Sequence, residues 1–281
     1  MVMTSSSERS DQADHEATRE ALRRWESPSD PGERRAVAAN PETPAELLQR
    51  LIADDDPAVR RAVAANPNAP LEVLWYLAEK YPQMVAQNLA LRLTVAADLS
   101  ALETAPFEAL RVLFKQEQVP TAWLRWGSRH ENSQVREAVA ASPSAPVEVL
   151  EEMASDYDGN VRRALVRNLQ APVVALEQLA VDDDSHVREA VAYHPSAPPK
   201  VLEQLAAGED WSGRLREAVA QHPSTPSYVL EYLADHENVR VRVAVAKNPL
   251  VPPALLRQLA EDGNTEVRQA ARSRSNASEG I

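Results

Sequence analysis

The sequence predicts an all-α protein, an α-solenoid built from about ten two-helix repeats of about 26 residues. Three observations predict this fold. A pattern of about 20 residues recurs along the chain, prolines fall at fixed places within it, and apolar residues follow helical spacing between the prolines. Tandem periods of this size are typical of solenoids, in which each unit packs only on its neighbours.

One repeat unit begins at Val59 and reads V-R-R-A-V-A-A-N-P-N-A-P-L-E-V-L-W-Y-L-A. Units follow at intervals of 26 residues, except that one takes 28, with its extra residues in the loop 208–214. An earlier copy covers residues 33–56. The pattern restarts at Val135, Val161, Val187, Leu215, Val241 and Val267.

Each unit contains two short helical segments. In the first, Val59, Val63 and Asn66 share one face, and Pro67 ends the segment because a proline pushes the preceding residue out of the α region. Pro70 suits the first position of the second helix, whose leucines and valines form an inward stripe. Helices this short are marginal alone, so stacking between units must stabilise them.

The pattern divides the chain into four segments. Residues 1–14 and 273–281 are polar and predicted to be disordered tails, and residues 15–32 are predicted to form an N-terminal capping helix. The solenoid is predicted to span residues 33–272. Within it, residues 80–133 fit the pattern poorly and are interpreted as two decayed units, Met84–Pro106 and Phe107–Asn132. The second unit keeps the repeat spacing, because Pro120 lies 15 residues before Val135, as Pro44 lies before Val59.

Composition excludes several classes of function. The chain has no cysteine, which rules out disulfides, thiolate metal sites, cysteine-bound iron–sulfur clusters and a cysteine nucleophile. Its net charge of −12 argues against general binding to nucleic acid or anionic membranes. No apolar run is long enough to span a bilayer and no signal peptide is present, so we expect a cytoplasmic protein without membrane contact.

The pattern V-R-x-A-V-A-x-N-P-x-x-P-x-x-x-L-x-x-L-A, seen in Val59–Ala78 and Val241–Ala260, resembles the leucine-rich repeat variant family of bacterial proteins. The resemblance covers eight copies and implies a right-handed superhelix of alternating α- and 3₁₀-helices, with no shared enzymatic activity. Some family members carry a cysteine-bound iron–sulfur cluster, which cannot transfer to this chain. The first half of the pattern also resembles HEAT repeats, so the units are either α/3₁₀ or α/α pairs.

Two positions recur so strictly that we interpret them as structural ladders. The arginine ladder is expected to pair with the acidic loop preceding each helix or to cap a carbonyl of the adjacent unit, the alternative being a row of guanidinium groups for phosphates or carboxylates. The asparagine ladder is expected to satisfy buried backbone groups, the alternative being a metal site at its two histidines. The ladder residues include Arg60, Arg136, Arg162, Arg188, Arg216 and Arg242, and Asn66, Asn168, His194, His222 and Asn248.

Variable positions are the candidates for ligand contact. The residue before the asparagine ladder changes from alanine in early units to larger polar residues later, and aromatic residues on the second helices are potential interface anchors. These candidates are Arg167, Tyr193, Gln221 and Lys247, and Trp75, Tyr76, Tyr228 and Tyr232. Either they share a ligand, or they are scattered surface residues.

No catalytic or metal-binding motif is present, so the sequence predicts no enzymatic activity, no metal and no cofactor. The leading hypothesis is a non-catalytic scaffold that binds a protein partner through a solenoid surface. A nucleic-acid-binding solenoid that uses the repeated arginines is the first alternative, although the net charge argues against nucleic acid as a partner. A HEAT-like lyase or glycosylase is the second, and a deep pocket with convergent polar groups would favour it.

Overall fold

The computed structural model describes residues 30–208 and 213–279, with side chains described up to Ser275. In these residues every regular element is a helix, nineteen of them α-helices and one a 3₁₀-helix. The predicted all-α repeat fold is confirmed. The chain divides into two compact units, Met1–Trp126 and Gly127–Ile281, which are described separately. None of the helices in the described ranges is long and apolar enough to cross a membrane.

The described part of the first compact unit contains two regular repeats followed by the irregular region. Its helices are α1 (Pro31–Ala39), α2 (Ala45–Leu51), α3 (Pro57–Ala65), α4 (Leu71–Ala78), α5 (Pro82–Gln87), α6 (Leu89–Ala97), the 3₁₀-helix η1 (Leu99–Thr104), α7 (Phe107–Leu113) and α8 (Thr121–Gly127).

The second compact unit consists of regular repeats and a long last helix. Its helices are α9 (Ser133–Ala140), α10 (Val147–Met153), α11 (Gly159–Arg167), α12 (Val173–Leu179), α13 (Ser185–Tyr193), α14 (Pro199–Ala207), α15 (Gly213–Gln221), α16 (Ser227–Ala234), α17 (Val239–Lys247), α18 (Pro253–Leu259) and α19 (Thr265–Glu279).

Local sequence sets both ends of each first helix. An aspartate or asparagine N-caps most of them, as Asp56 does by accepting a hydrogen bond from the Ala58 amide at 2.8 Å. The helix ends at the ladder residue before the proline, where Asn66 has extended backbone angles. Each second helix then begins immediately after the second proline, so Pro70 is the N-cap of α4 and not its first residue.

The second segment of each regular repeat is an α-helix of seven to nine residues, so the repeats are α/α pairs. Their leucines and valines form the core together with the inward face of the first helices. Leu74, Leu176 and Leu230, which occupy the same position in three repeats, are fully buried. The 3₁₀-helix lies in the irregular region, where η1 replaces a regular element.

The two decayed units are helical, but each departs from the repeat in its own way. In the first, Val85 lies 26 residues after Val59, yet the helix that contains it ends at Asn88, four residues earlier than the pattern requires. In the second, α7 and α8 both follow a proline, and Trp123 and Leu124 donate to the Pro120 carbonyl as Val73 and Leu74 donate to Pro70. The expectation that Pro120 keeps the frame is therefore correct.

The ends of the chain differ from the sequence-based expectation where the structure describes them. Residues 1–29 lie outside the described residues, and with them the whole predicted N-terminal tail and most of the predicted capping helix. Residues 31 and 32, assigned to that helix, belong to α1. The tail expected to be disordered from Ser273 instead continues α19 to Glu279. Most other repeats place a proline directly after the last ladder residue of the first helix, but here Arg274-Ser275 stands at these positions, and no proline ends the helix.

A pair of substitutions on α12 tests whether the inward leucines hold the repeats together. Replacing the fully buried Leu176 with alanine leaves a cavity between stacked helices and should lower the free energy of unfolding by about 2–4 kcal/mol. Val174 lies on the same helix with 60% of its surface exposed, so Val174→Ala should cost less than about 0.5 kcal/mol. Urea denaturation followed by circular dichroism measures both. Equal effects would contradict the assignment of the core.

Candidate functional site

The asparagine ladder joins each repeat to the one before it. The Asn168 side chain donates through Nδ2 to the carbonyls of Ala140 and Ser142, at 2.8 and 2.9 Å, and its Oδ1 accepts from the Gln170 amide at 3.0 Å. Asn66 and Asn248 form the same three bonds with their own preceding repeats. All three side chains are buried, so the amide satisfies backbone carbonyls that water cannot reach.

The sequence analysis missed one member of the asparagine ladder. Asn88 donates to the carbonyls of Ala64 and Asn66, at 2.9 and 2.8 Å, although it follows Asn66 by 22 residues and not 26. The missing four residues correspond to about one helical turn, so the shorter α5 still delivers an asparagine to the same place. A search for Asn-Pro misses it because Leu89 follows Asn88.

The two histidines of the ladder use both ring nitrogens for the same purpose. In His222, Nε2 lies 3.0 Å from the His194 carbonyl, and Nδ1 accepts from the Ser224 amide at 3.1 Å. His194 is bonded in the same way to Asn168 and Ser196. This pattern leaves neither ring with a free lone pair for a metal ion. In the described ranges no cluster of three or more histidine, aspartate or glutamate residues is placed to bind one.

The arginine ladder connects two successive loops. Arg162 donates through Nη1 to the Asp156 carbonyl in the preceding loop at 2.7 Å. Its Nε and Nη2 contact both carboxylate oxygens of Asp182 in the following loop, at 2.6 and 2.8 Å. The same two-pronged pair with a following aspartate, 20 residues on, occurs at Arg34–Asp54, Arg136–Asp156 and Arg242–Asp262.

The ladder arginines do bond a carbonyl of the preceding unit, which was one of the two expected partners, but their carboxylate partner is not the expected one. Sequence proximity favoured the carboxylates of the preceding loop, such as Asp54–Asp56 before Arg60, but that loop supplies a carbonyl and the following loop supplies the carboxylate. The pairs are largely buried; the Arg136 and Asp156 side chains are 4% and 7% exposed. The hydrogen bond from Arg34 lowers the pKa of Asp54, and Arg242 does the same for Asp262.

The arginine ladder is interrupted at Arg60. The residue 20 positions later is Lys80, whose amide donates to the Leu77 carbonyl at 3.2 Å, just as the Asp54 amide donates to Leu51 at 3.1 Å. Lys80 thus occupies the backbone position of the paired aspartates. As a result the Arg60 Nε is buried without a hydrogen-bond partner, the one such side-chain atom found among the described residues.

The exposed ligand-contact candidates lie on two sides of the repeats. Arg167, Tyr193, Gln221 and Lys247 are all exposed at equivalent positions near the ends of first helices in the second compact unit. Tyr228 and Tyr232 are exposed on α16, and Tyr76 is exposed on α4 in the first compact unit. The expectation that Trp75 is available on the surface for ligand contact is wrong. Trp75 is only 6% exposed, and its indole donates to the Thr104 hydroxyl at 3.1 Å, because the irregular η1 covers it.

The first helices of the second compact unit border open grooves. One of about 450 Å³ lies between α11 and α13, lined by Arg163, Arg167 and Leu169 on one side and by Glu189 and Tyr193 on the other. Burial raises the pKa of Tyr193, and the nearby carboxylates of Glu189 and Glu217 add to this shift. The grooves bring Arg167 and Tyr193 together but do not include the aromatics of the second helices.

Comparison with known proteins agrees with this geometry. The family model described as a Leucine Rich Repeat Variant domain matches residues 32–93 and 216–275, and the model described as Leucine rich repeat variant matches residues 134–158 and 186–210. Together the matches cover more than half of the chain. This chain belongs to the leucine-rich repeat variant family. The identification made from the repeat pattern is confirmed.

A solved structure supports the fold of this repeat variant. A structure described as a leucine-rich repeat variant with a novel repetitive structural motif is 23% identical, with a TM-score of 0.52, covering 79% of this chain and 88% of that one. An engineered protein is 15% identical, with a TM-score of 0.37, covering 86% of this chain and 82% of that one. No curated protein sequence matches the chain.

The interruption at Lys80 yields a test of the arginine ladder. In Lys80→Asp, the new carboxylate should reach the orphaned Arg60 Nε and raise the free energy of unfolding by about 1–2 kcal/mol. The same substitution in an Arg60→Leu background should bring no such gain. Urea melts of the four proteins complete the double-mutant cycle. An equal gain in both backgrounds would mean that surface charge, and not the pair, causes it.

A second test concerns His222 and pH. Burial lowers the pKa of His222 below its ordinary value of 6.5, so the folded protein binds fewer protons than the unfolded chain just below pH 6.5. This contribution to stability is present above about pH 6.5 and is lost as the pH falls through the folded pKa. In His222→Asn an amide that does not titrate replaces the imidazole. The unfolding free energy should therefore depend less on pH between about 7 and 5. The exposed His186→Asn is the control, and an unchanged slope in His222→Asn would contradict the assignment.

Proposed function

We propose that this repeat variant is a non-catalytic scaffold that binds a protein partner through the exposed side chains of its repeats. One observation carries the proposal. At equivalent positions the inward residues are nearly invariant between repeats, whereas outward residues vary in size and charge, as in Arg167, Tyr193 and Gln221. The inward set is occupied with holding the repeats together, so the outward set is available to distinguish ligands.

The chemistry of the ladders supports a scaffold over the alternatives. Arg34, Arg136, Arg162 and Arg242 are largely buried and paired with aspartates of their own chain, so they do not form a free row for phosphates. The groove between α11 and α13 is open, and its polar groups come from an exposed surface. A lyase or glycosylase needs an enclosed site with convergent polar groups, and this groove lacks that character.

Selection of peptides from a random library on the immobilised full-length chain tests the proposal. We expect the selected peptides to converge on related sequences and to compete saturably with one another, because a fixed row of side chains imposes one pattern. Unrelated sequences without saturable competition would contradict a scaffold role. A converged set of any composition supports this role, whichever face of the repeats it uses.

A further inference from the structure

The grooves of the second compact unit recur in register. The groove between α17 and α19, of about 560 Å³, is lined by Val243, Lys247 and Ser273 among others. These residues occupy the repeat positions of Arg163, Arg167 and Tyr193 in the groove between α11 and α13. The same surface concavity therefore appears twice, three repeats apart, and each copy has a basic residue at the same position.

Charge is divided between the two sides of these repeats. On the exposed or half-exposed sides of α11, α13, α15, α17 and α19, here called the first-helix face, the basic residues are Arg163, Arg167, Arg214, Arg240, Lys247, Arg272 and Arg274, and the acidic residues are Glu189, Glu217 and Glu266. On the exposed sides of α10, α12, α14, α16 and α18, the second-helix face, the acidic residues are Glu148, Glu151, Glu152, Glu177, Glu203 and Glu231, and the basic residues are Lys200 and Arg257. In a chain with a net charge of −12, the first-helix face is the basic one.

Two cations of the first-helix face are not used by the fold. Within the described ranges, the side chains of Arg167 and Lys247 form neither a hydrogen bond nor an ion pair, although both are exposed. Arg163 donates to the Asn160 amide oxygen at 2.5 Å and to no carboxylate. This contrasts with the ladder arginines, whose charges are neutralised by aspartates. The free cations are complementary to carboxylates supplied by a partner.

Apolar surface lies next to these charges. Leu169 stands where most repeats have proline and is 71% exposed, and Tyr193 is 55% exposed on the opposite wall of the same groove. Exposed leucine and tyrosine side chains in a concave surface are typical of binding sites. The groove thus offers a cation and an apolar wall within one repeat step.

The spacing and the interspersed acids favour a peptide over a nucleic acid. Stacked helices lie about 10 Å apart, so Arg167 and Lys247 are separated by roughly 30 Å, which an extended chain of about nine residues spans. Glu189 and Glu217 lie near Tyr193, between the two cations in chain order. A uniform polyanion crossing this face would meet those carboxylates, whereas a peptide can place its acidic residues only where cations lie.

We propose that the first-helix face, from α11 to α19, binds an extended acidic segment of the partner protein, in which carboxylate side chains contact Arg167 and Lys247 and an apolar side chain packs against Leu169 and Tyr193. This inference rests on the proposed scaffold function and names the chemistry of its partner. It assigns Arg167 and Lys247 as specificity-determining residues, and it leaves the second-helix face without a role in this contact.

The test uses a fluorescein-labelled peptide of about twelve residues, long enough to reach both cations. It carries one glutamate near each end and an isoleucine beside the first, and its matched peptide has glutamine in place of both glutamates. Fluorescence anisotropy with the full-length protein measures Kd. We expect saturable binding of the glutamate peptide that weakens as salt rises, and binding of the glutamine peptide weaker by about tenfold or more.

Three charge reversals, two on the first-helix face and one control on the second-helix face, provide the matched comparison. Arg167→Glu, on the first-helix face, should weaken binding of the glutamate peptide by about tenfold or more, and Lys247→Glu should do likewise. Arg257→Glu makes the same change in net charge at an exposed position of α18 and should alter Kd by less than about twofold. Circular dichroism melts of each variant establish that it is folded.

Several outcomes would overturn the inference. These are no binding of the glutamate peptide, equal binding of the two peptides, or an equal loss in Arg257→Glu and Arg167→Glu. Tighter binding of a single-stranded oligonucleotide, lost in Arg167→Glu, would assign the face to nucleic acid instead. If the library selection converges on peptides without acidic residues, or on binding insensitive to Arg167→Glu, the scaffold function stands and only the acidic partner is wrong. If the selection does not converge, the scaffold function itself fails.

Discussion

The structure depends on a constraint at the end of each first helix. A helix that stops at a proline leaves carbonyl groups without intrahelical partners, and in this fold those carbonyls are buried against the next repeat. The next repeat satisfies them with one side chain. Asn168 donates to the carbonyls of Ala140 and Ser142, and Asn248 donates in the same way to those of Ala220 and His222. Because each break receives hydrogen bonds from the repeat that follows it, neighbouring repeats stabilise each other.

The arginine ladder acts on the loops. A guanidinium group has enough donors to bond a carbonyl of the preceding loop and a carboxylate of the following one at the same time. Arg162 does both, which fixes the spacing between the loops before and after its repeat. The ladder is not uniform. At Arg60 the carboxylate is replaced by Lys80, and at Arg216 the residue 20 positions later is His236, whose Nδ1 accepts from Asn238 as an aspartate would.

The two ladders stabilise the fold with repeated residues, so that other, variable residues remain for ligand recognition. Nearly all strictly repeated polar residues are engaged within the chain, so the surface can vary without loss of the fold. The first-helix face shows the result, because one repeat position is occupied by basic, aromatic and amide side chains in Arg167, Tyr193, Gln221 and Lys247. Leu169 is a similar case: the proline of other repeats is replaced by a side chain that extends into the groove.

By itself the sequence determined the helical class, the repeat period, the inward residues and the family, since all four follow from periodicity and from prolines, whose effect on the backbone is local. It also placed Asn168 and His222 inside, because they share a face with core valines. Only the tertiary structure decided which aspartate pairs with Arg162, since the partner is 20 residues away in chain and adjacent in space. The same holds for Asn88, which a lost helical turn moved out of register, and for Trp75, which η1 covers. The grooves lie between helices of different repeats, and no local pattern encodes a surface that two repeats form together.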